Sequence, residues 1–393
     1  MTAGLLQLVA RGEQDEYLSG NPQVTYYKYT FKRHTNFAME TMDLRFNEIV
    51  EWGSMSTCTL SHKADMLSNM YLQITLPQLV TPTQNLNGRW VEYIGLAMIR
   101  KVELEIGGQT IDSQTGEWLY IYNQLALDHG KRNGYDYMVG FNIDPTQEKT
   151  LYIPLTFWFN THTGLSLPLV ALQFHEVKLR VFFRTFKECS INAPTEVAIK
   201  NVDVLCNFVF LDVDERKLFA KEEQEYIIEQ VQHDLDNVVN ILTPMVDIHF
   251  INPIKELVWV VQRRDHTSEE FKDWFNFTYD DNRMPVKSAV IQINGEDRFS
   301  ALPGEYFNLV QTYQHHTNIP DNAGICVYSF AIYPESAQPS GSMNFSRIDS
   351  ARLKVTLHDD FYDGHADAYL KLYGLTYNVL KISAGMGSIK FSR

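Results

Sequence analysis

Three groups of residues in this 393-residue sequence have types suited to chemistry, and their spacing decides what they can do. The densest is Asp359-Asp-Phe-Tyr-Asp-Gly-His-Ala-Asp367, four carboxylates and a histidine. A calcium loop needs carboxylates at alternating positions with a later bidentate glutamate, and this spacing does not supply them. The run reads as a polar loop. His315-His316, with His34 far upstream, offers imidazoles for a metal. Adjacent histidines on a strand or loop point to different sides, so a shared ion is not expected. Cys58, Cys189, Cys206 and Cys326 are far apart, without CxxC or a zinc-type histidine spacing, and read as buried free thiols of a reducing compartment. There is no GxxxxGK[ST] phosphate loop and no GxSxG nucleophile elbow, and Gly107-Gly108 is a hairpin signal. No catalytic residue, cofactor or metal ligand is assigned, and the chain is not read as an enzyme.

Bulk properties narrow the function further. The chain is long enough for two domains of ordinary size. The formal charge is −14, from 48 acidic against 34 basic residues. A protein that wraps nucleic acid needs a basic face to release counterions, so direct genome binding is not expected. No run approaches the ~18 apolar residues of a membrane span. Met1 to Gly12 has no basic region ahead of its apolar residues and does not read as a secretory signal. The sequons at Asn276-Phe-Thr278 and Asn344-Phe-Ser346 are therefore taken as chance matches.

The elements that would position any site are mostly strands. An arm, residues 1–23, carries the apolar patch Leu5, Leu6, Leu8 and Val9 and ends at Ser19-Gly-Asn-Pro22. Alternating β-branched and aromatic runs then predict strands at 24–31, 41–46, 57–60, 70–76, 99–106, 151–159, 170–174, 177–183 and 202–211. A helix is predicted over 116–127, from apolar residues at near-helical spacing. Residues 213–232, rich in Glu, Lys and Gln, predict a helical connector. Strands resume at 238–250, 256–261, 288–293, 325–332, 351–357 and 368–382, with a second helix at 304–311. Between 332 and 351 lies Tyr333-Pro-Glu-Ser-Ala-Gln-Pro-Ser-Gly-Ser-Met-Asn-Phe-Ser-Arg-Ile-Asp349. Two prolines and a glycine exclude a central strand. Phe345, Ile348 and the Arg347/Asp349 pair mark it as an ordered loop.

The halves repeat in order. Val102-Glu-Leu-Glu-Ile-Gly-Gly108 parallels Ala289-Val-Ile-Gln-Ile-Asn-Gly295, Gly116-Glu-Trp parallels Gly304-Glu-Tyr, and Val177-Lys-Leu-Arg-Val181 parallels Ala351-Arg-Leu-Lys-Val355. This predicts an all-β chain of two tandem eight-stranded antiparallel jelly rolls, a double jelly roll, with short helices in loops and in the connector. The rolls are placed at 24–212 and 233–393. Three such chains would present six similar units around one axis, a pseudo-hexagonal tile.

Gly4-Leu-Leu-Gln-Leu-Val-Ala10, Tyr17-Leu-Ser-Gly-Asn-Pro-Gln23, Phe31-Lys-Arg-His-Thr-Asn-Phe37, Ile99 to Gly108, Gln314-His-His-Thr317, Gln338-Pro-Ser-Gly341 and Asn344-Phe-Ser-Arg-Ile-Asp349 together resemble the major capsid proteins of nucleocytoplasmic large DNA viruses. The resemblance implies a double jelly roll and a homotrimeric capsomer tiling an icosahedral shell, usually around an internal lipid membrane. It implies as partners further copies of the chain, minor capsid proteins and, through the arm, the membrane side. Assembly would take place in the host cytoplasm. In that setting Phe345 and Ile348 are expected to plug the sandwich or the trimer seam, Arg347 and Asp349 to pin the backbone, and Leu5 and Leu6 to serve contacts of the arm. The chain is short for the family, so outer loops are expected to be reduced. The alternatives are a minor or vertex double-jelly-roll component, which copy number would separate, and a carbohydrate-binding jelly roll or cupin-type enzyme. The last would need an HxH-type cluster, and His162 stands alone in Asn160-Thr-His-Thr163.

Overall fold

The computed structural model describes residues 2–391 apart from 61–62, 81–87, 194, 235, 270, 280–281, 364 and 366. Contacts divide the chain into an arm, Met1–Asn36, and a body, Phe37–Arg393. The arm holds helices α1 (Ala3–Val9) and α2 (Glu13–Ser19). Glu13, Asp15 and Glu16 occupy the first turn of α2, where the helix dipole favours negative charge, and Asp15 accepts from the Gly12 amide. Residues 24–31, expected as a strand, form none. Tyr26 is 96% and Tyr27 100% exposed. Alternation makes a strand only where a neighbour completes the ladder, and the first strand of the body begins at Phe37 instead.

In the body, β1 (Phe37–Arg45), β2 (Met55–Thr59), β3 (Met66–Leu76), β4 (Ile99–Ile106), β5 (Gln109–Thr115), β6 (Lys149–Pro154), β7 (Val177–Phe183) and β8 (Asn201–Leu211) come first. They form two antiparallel sheets in the orders β1-β8-β3-β6 and β2-β7-β4-β5. Then follow helix α4 (Val213–Lys221), numbered after α3 (Gly116–Ala126) in the first half, and eight further strands. These are β9 (Gln224–His233), β10 (Met245–Asp247), β11 (Pro253–Arg263), β12 (Val286–Ile293), β13 (Glu296–Asp297), β14 (Cys326–Ser329), β15 (Ala351–Leu357) and β16 (Ala368–Ser383). Their sheets run β9-β16-β11-β14 and β10-β15-β12-β13, with short extra strands at the edges. Every partner in the second half is the first-half partner plus eight. That is the eight-stranded jelly roll, present twice.

The sequence repeat has a physical cause at each match. Gly107-Gly108 and Asn294-Gly295 all have positive φ, as a two-residue hairpin between twisted strands demands. Gly116 and Gly304 each open a helix against the first residue of an inner strand. A Cβ there would lie 2.4 Å from the Ile99 carbonyl oxygen or 2.0 Å from that of Val286, so only glycine fits. Val177–Phe183 and Ala351–Leu357 are the equivalent strands β7 and β15, each alternating buried positions with half-exposed or exposed ones.

Several expected boundaries move. The connector is helical only to Lys221, because Tyr226, Ile228 and Val231 are drawn into β9 by pairing with β16. Strand 151–159 stops at Pro154 and gives way to a helical turn at Trp158–Thr161. Residues 169–171 form a 3-10 turn where a strand was expected. The expected strand 238–250 is broken into Asn237–Val239 and β10. Strand β5 was missed because Gln109-Thr-Ile-Asp-Ser-Gln-Thr115 is too polar to read as one. No helix among the described residues is long and apolar enough to cross a membrane.

Candidate assembly surfaces

The two rolls are joined through helix α3 of the first, which lies on the outer face of the β9-β16-β11-β14 sheet of the second. Trp118 packs on Tyr373 of β16, ring centroids 5.4 Å apart, and Tyr120 stacks on Phe275 at 4.8 Å. Val258 and Val260 of β11 face this seam, while Leu257, Trp259 and Val261 between and beside them face the second roll's own core. Glu117 is buried in the seam, 2.5 Å from Arg184 and 3.9 Å from Lys371 of β16. Burial pushes the Glu117 carboxyl up, but the two cations outweigh it and hold the group at about 2. Arg184 also donates to the Ala97 carbonyl and lies 4.1 Å over the Trp274 ring. At the other end of the seam, Asp112 accepts from the Val231 amide at 2.9 Å, and burial raises its carboxyl to about 6.

A second buried polar group ties the long loop down. His316 lies between Glu256, 3.1 Å from its Nε2, and Glu335, 3.0 Å from its Nδ1. The Glu256 contact is skewed from hydrogen-bond geometry, so the attraction there is mainly between charges. Burial opposes the imidazolium, yet the two carboxylates raise its pKa to about 9. Burial likewise pushes Glu256 up, and His316 overrides it to hold Glu256 below its ordinary value. Glu335 also accepts from the amide and hydroxyl of Thr317. Lys255, 1% exposed, donates to the Pro334 carbonyl and pairs with Glu229. The Gln314–Thr317 and Tyr333–Asp349 stretches, far apart in sequence, thus meet at one buried site. His315 is engaged elsewhere, its Nδ1 3.0 Å from the Ile332 carbonyl oxygen.

Of the residues singled out from sequence, Phe345 is 5% exposed in the second core and meets Phe330 edge-on at 5.9 Å. Ile348 packs partly against the same core. Arg347 and Asp349 are both exposed and form no ion pair with each other. The pinning attributed to their side chains comes from other groups. Asn294 accepts from the Asp349 and Ser350 amides, Asn344 accepts from the Ser346 amide, and Met343–Asn344 pairs with Pro253 and Ile254. Leu5 and Leu6 lie on α1, 50% and 53% exposed. In the acidic run, Asp359, Asp360 and Asp367 pair with Lys287, Arg283 and Arg264. Gly364 and Ala366 of that run lie outside the described residues.

The seam leaves each half of itself repeated and uncovered. Helix α3 is buried along nearly its whole length, whereas its second-roll equivalent, Gly304 to His315, exposes Leu309, Val310 and Tyr313, the last at 78%. Ile332 and Tyr333 are exposed beside it. The first roll's outer sheet, equivalent to the face that receives α3, presents Phe37, Met39, Tyr71, Tyr152, Leu205 and Val209 at outward positions. Phe37 and Met39 are 51% and 56% exposed. Sequence reading missed these surfaces, since an exposed face on one roll is recognised only by comparison with its buried twin.

Comparison with known proteins agrees with this architecture. Residues 25–212 match the family described as major capsid protein N-terminus, and residues 215–388 match large eukaryotic DNA virus major capsid protein. The chain belongs to the major capsid proteins of large eukaryotic DNA viruses. The major capsid protein of Pyramimonas orientalis virus is 37% identical over 422 residues, covering 100% of both chains. That of Phaeocystis pouchetii virus is 35% identical over 520 residues, again covering 100% of both. This second alignment is longer than the present chain, so that relative carries insertions that this family member lacks. A chain in the quasi-atomic model of the PBCV-1 virus capsid is 30% identical, with a TM-score of 0.81, covering 94% of this chain and 100% of that one.

Proposed function

We propose that this chain is the building block of the icosahedral shell of a large eukaryotic double-stranded DNA virus. Three copies close into a pseudo-hexagonal capsomer, and capsomers tile the shell. The observation that carries the ring is the doubled seam. Within one chain, the helix of roll 1 covers the outer sheet of roll 2. The matching helix of roll 2 and the matching sheet of roll 1 are left facing outward, so the same contact repeated between chains is head-to-tail. Such contacts form a ring when the rotation closes, and six rolls close with three chains. The two exposed halves are apolar enough for an interface core, with aromatic residues prominent as such cores prefer. Family membership supports the shell, and the acidic balance fits a wall that does not hold the genome directly. The arm, with Leu5, Leu6, Leu8 and Val9 exposed on α1, serves contacts at the inner face, with minor capsid proteins or the membrane side. The particle is assembled in the host cytoplasm and catalysis plays no part.

Sedimentation of the purified protein tests this. The wild type is expected as a trimer, and Leu309→Glu with Tyr313→Glu as a folded monomer. A wild-type monomer at high concentration, or a trimer indifferent to both charges, refutes the doubled seam. Deleting residues 1–23 should leave trimers and impair shells, and loss of trimers would make the arm part of the capsomer instead.

A further inference from the structure

A cleft of about 620 Å³ opens between the two rolls where the β3–β4 and β5–β6 loops of the first meet the β11–β12 and β13–β14 loops of the second. It opens at the edge of the seam, sharing Tyr120 and Phe275 with it, and its lining is unusual in two independent ways. The first is aromatic. Tyr93, Tyr120, Phe141 and Phe275 line it, with Tyr120 stacked on Phe275, Tyr93 against Phe141 at 4.8 Å and Tyr93 edge-on to Phe275 at 5.9 Å. Phe141 is 42% exposed, so part of this surface is open. Tyr93 is held there with φ at 49°, a left-handed backbone unfavourable for a bulky residue.

The second is charge. Glu92, Asp136, Asp273 and Asp321 line the cleft, against one arginine, Arg132, which is paired with Asp321 at 3.2 Å. Asp273 has only the Asn276 amide as a side-chain partner, and Glu92 and Asp136 form no ion pair among the described residues. The Asp136 Oδ1 is buried with no hydrogen-bond partner among them. Burial raises both Glu92 and Asp136 from their ordinary values; Asp273 adds to the rise at Glu92 and Arg89 opposes it, while Arg132 and the Tyr93 hydroxyl oppose the rise at Asp136. These carboxylates are spread around the rings rather than converging. No group of three or more His, Cys, Asp or Glu among the described residues could hold a metal ion. A neutral sugar could stack on the rings but would bring no charge to Glu92, Asp136 and Asp273, none of which has an ion pair among the described residues.

We infer that this cleft binds an organic cation, an alkylammonium or guanidinium group whose charge is shared by Glu92, Asp136 and Asp273 and whose stem lies on Tyr93, Phe141 and Phe275. Aromatic faces attract such cations through their quadrupoles, and the attraction grows as water is excluded. In a particle the group would come from a free polyamine or from a lysine or arginine of a neighbouring protein. Calorimetric titration of the full-length protein with spermidine and with acetyl-lysine amide separates these sources. Acetyl-norleucine amide and glucose serve as neutral controls. Both cations should bind and neither control should, and the tighter cation identifies the source. Asp136→Asn and Asp273→Asn should each weaken binding about tenfold, equivalent to about 1.4 kcal/mol. Both replacements keep shape, and Phe141→Leu, at an exposed ring, tests the aromatic part without touching charge. Absence of binding by both cations, equal binding of norleucine amide or glucose, or affinity unchanged in the Asp136→Asn, Asp273→Asn double variant overturns the inference. None of these readouts depends on the oligomeric state, so failure here is distinguishable from failure of the ring.

Discussion

Alkaline pH should loosen the second roll through His316. In the folded chain its imidazolium sits between Glu256 and Glu335, and its pKa is raised from 6.5 to about 9. A raised histidine contributes stability that is fully present below the unfolded value, about 6.5, and is lost as pH climbs through the folded value, about 9. That rise corresponds to about 3 kcal/mol, a large share of the stability of an ordinary domain. The four buried thiols add a slope of their own at the alkaline end of this window, because burial pushes Cys58 and Cys189 to about 12 and Cys206 and Cys326 higher still while unfolded thiols ionise at about 8.5. They do so equally in a His316 variant, so the difference between variant and wild type isolates the imidazolium. Urea unfolding followed by tryptophan fluorescence, repeated from pH 6.5 to 9, measures the effect. Wild-type stability should fall across this range. His316→Gln should keep only the shallower fall due to the thiols, and should be less stable at neutral pH by about 3–5 kcal/mol, because Glu256 is left buried without its counter-charge. If the wild type and His316→Gln show the same slope, the imidazolium is not what holds the loop.

Phe345→Ala should cost about 3–5 kcal/mol, as loss of a buried ring from a packed core does, measured as a fall in the urea midpoint at constant slope. Glu117→Gln should cost a similar amount at neutral pH by leaving Arg184 and Lys371 buried without an anion. The wild type should lose the Glu117 contribution as pH falls from 4.5 through about 2, and the variant should lack that acid limb. Arg347→Ala, at an exposed side chain, should change chain stability by less than about 0.5 kcal/mol while lowering trimer yield. Sedimentation alongside unfolding checks both.

The fold was legible because a repeated roll repeats its constraints. Gly116 and Gly304 are forced by the carbonyls of Ile99 and Val286, and the two turns by positive φ, so each constraint appears twice in the sequence at matched positions. Edges were less legible. Val24 to Phe31 has the composition of a strand and lacks a partner, while Gln224 to His233 has helix-forming residues and gains one in β16. Composition reports what a segment prefers, and pairing decides what it becomes. The loop at Tyr333–Asp349 was seen to be ordered, but the charge pair credited with ordering it was the adjacent one. The groups that hold it, His316, Glu256 and Lys255, lie at distant positions, and nothing local in the sequence joins them.

The two seams of the proposed ring cannot be equal in strength, and the strands say which is weaker. Strand β11 is buried at almost every position, because one face serves its own core and the other receives the first roll. Its twin β3 alternates, with Asn69, Tyr71 and Gln73 at half-exposed outward positions, and β8 places Asp203 and Asn207 on that same outward face. A face that must stay soluble until a partner arrives keeps polar groups, as non-obligate interfaces do. The internal seam, buried and stapled by Glu117, therefore forms as the chain folds, whereas in the proposed ring the copy between chains would form afterwards and depend on concentration. Dilution or moderate salt-free urea should accordingly release folded monomers before any roll unfolds. Light scattering would then report the loss of trimer ahead of the tryptophan signal. Coincident transitions would mean that the outer faces of β3 and β8 are as obligatory as those of β11 and β16.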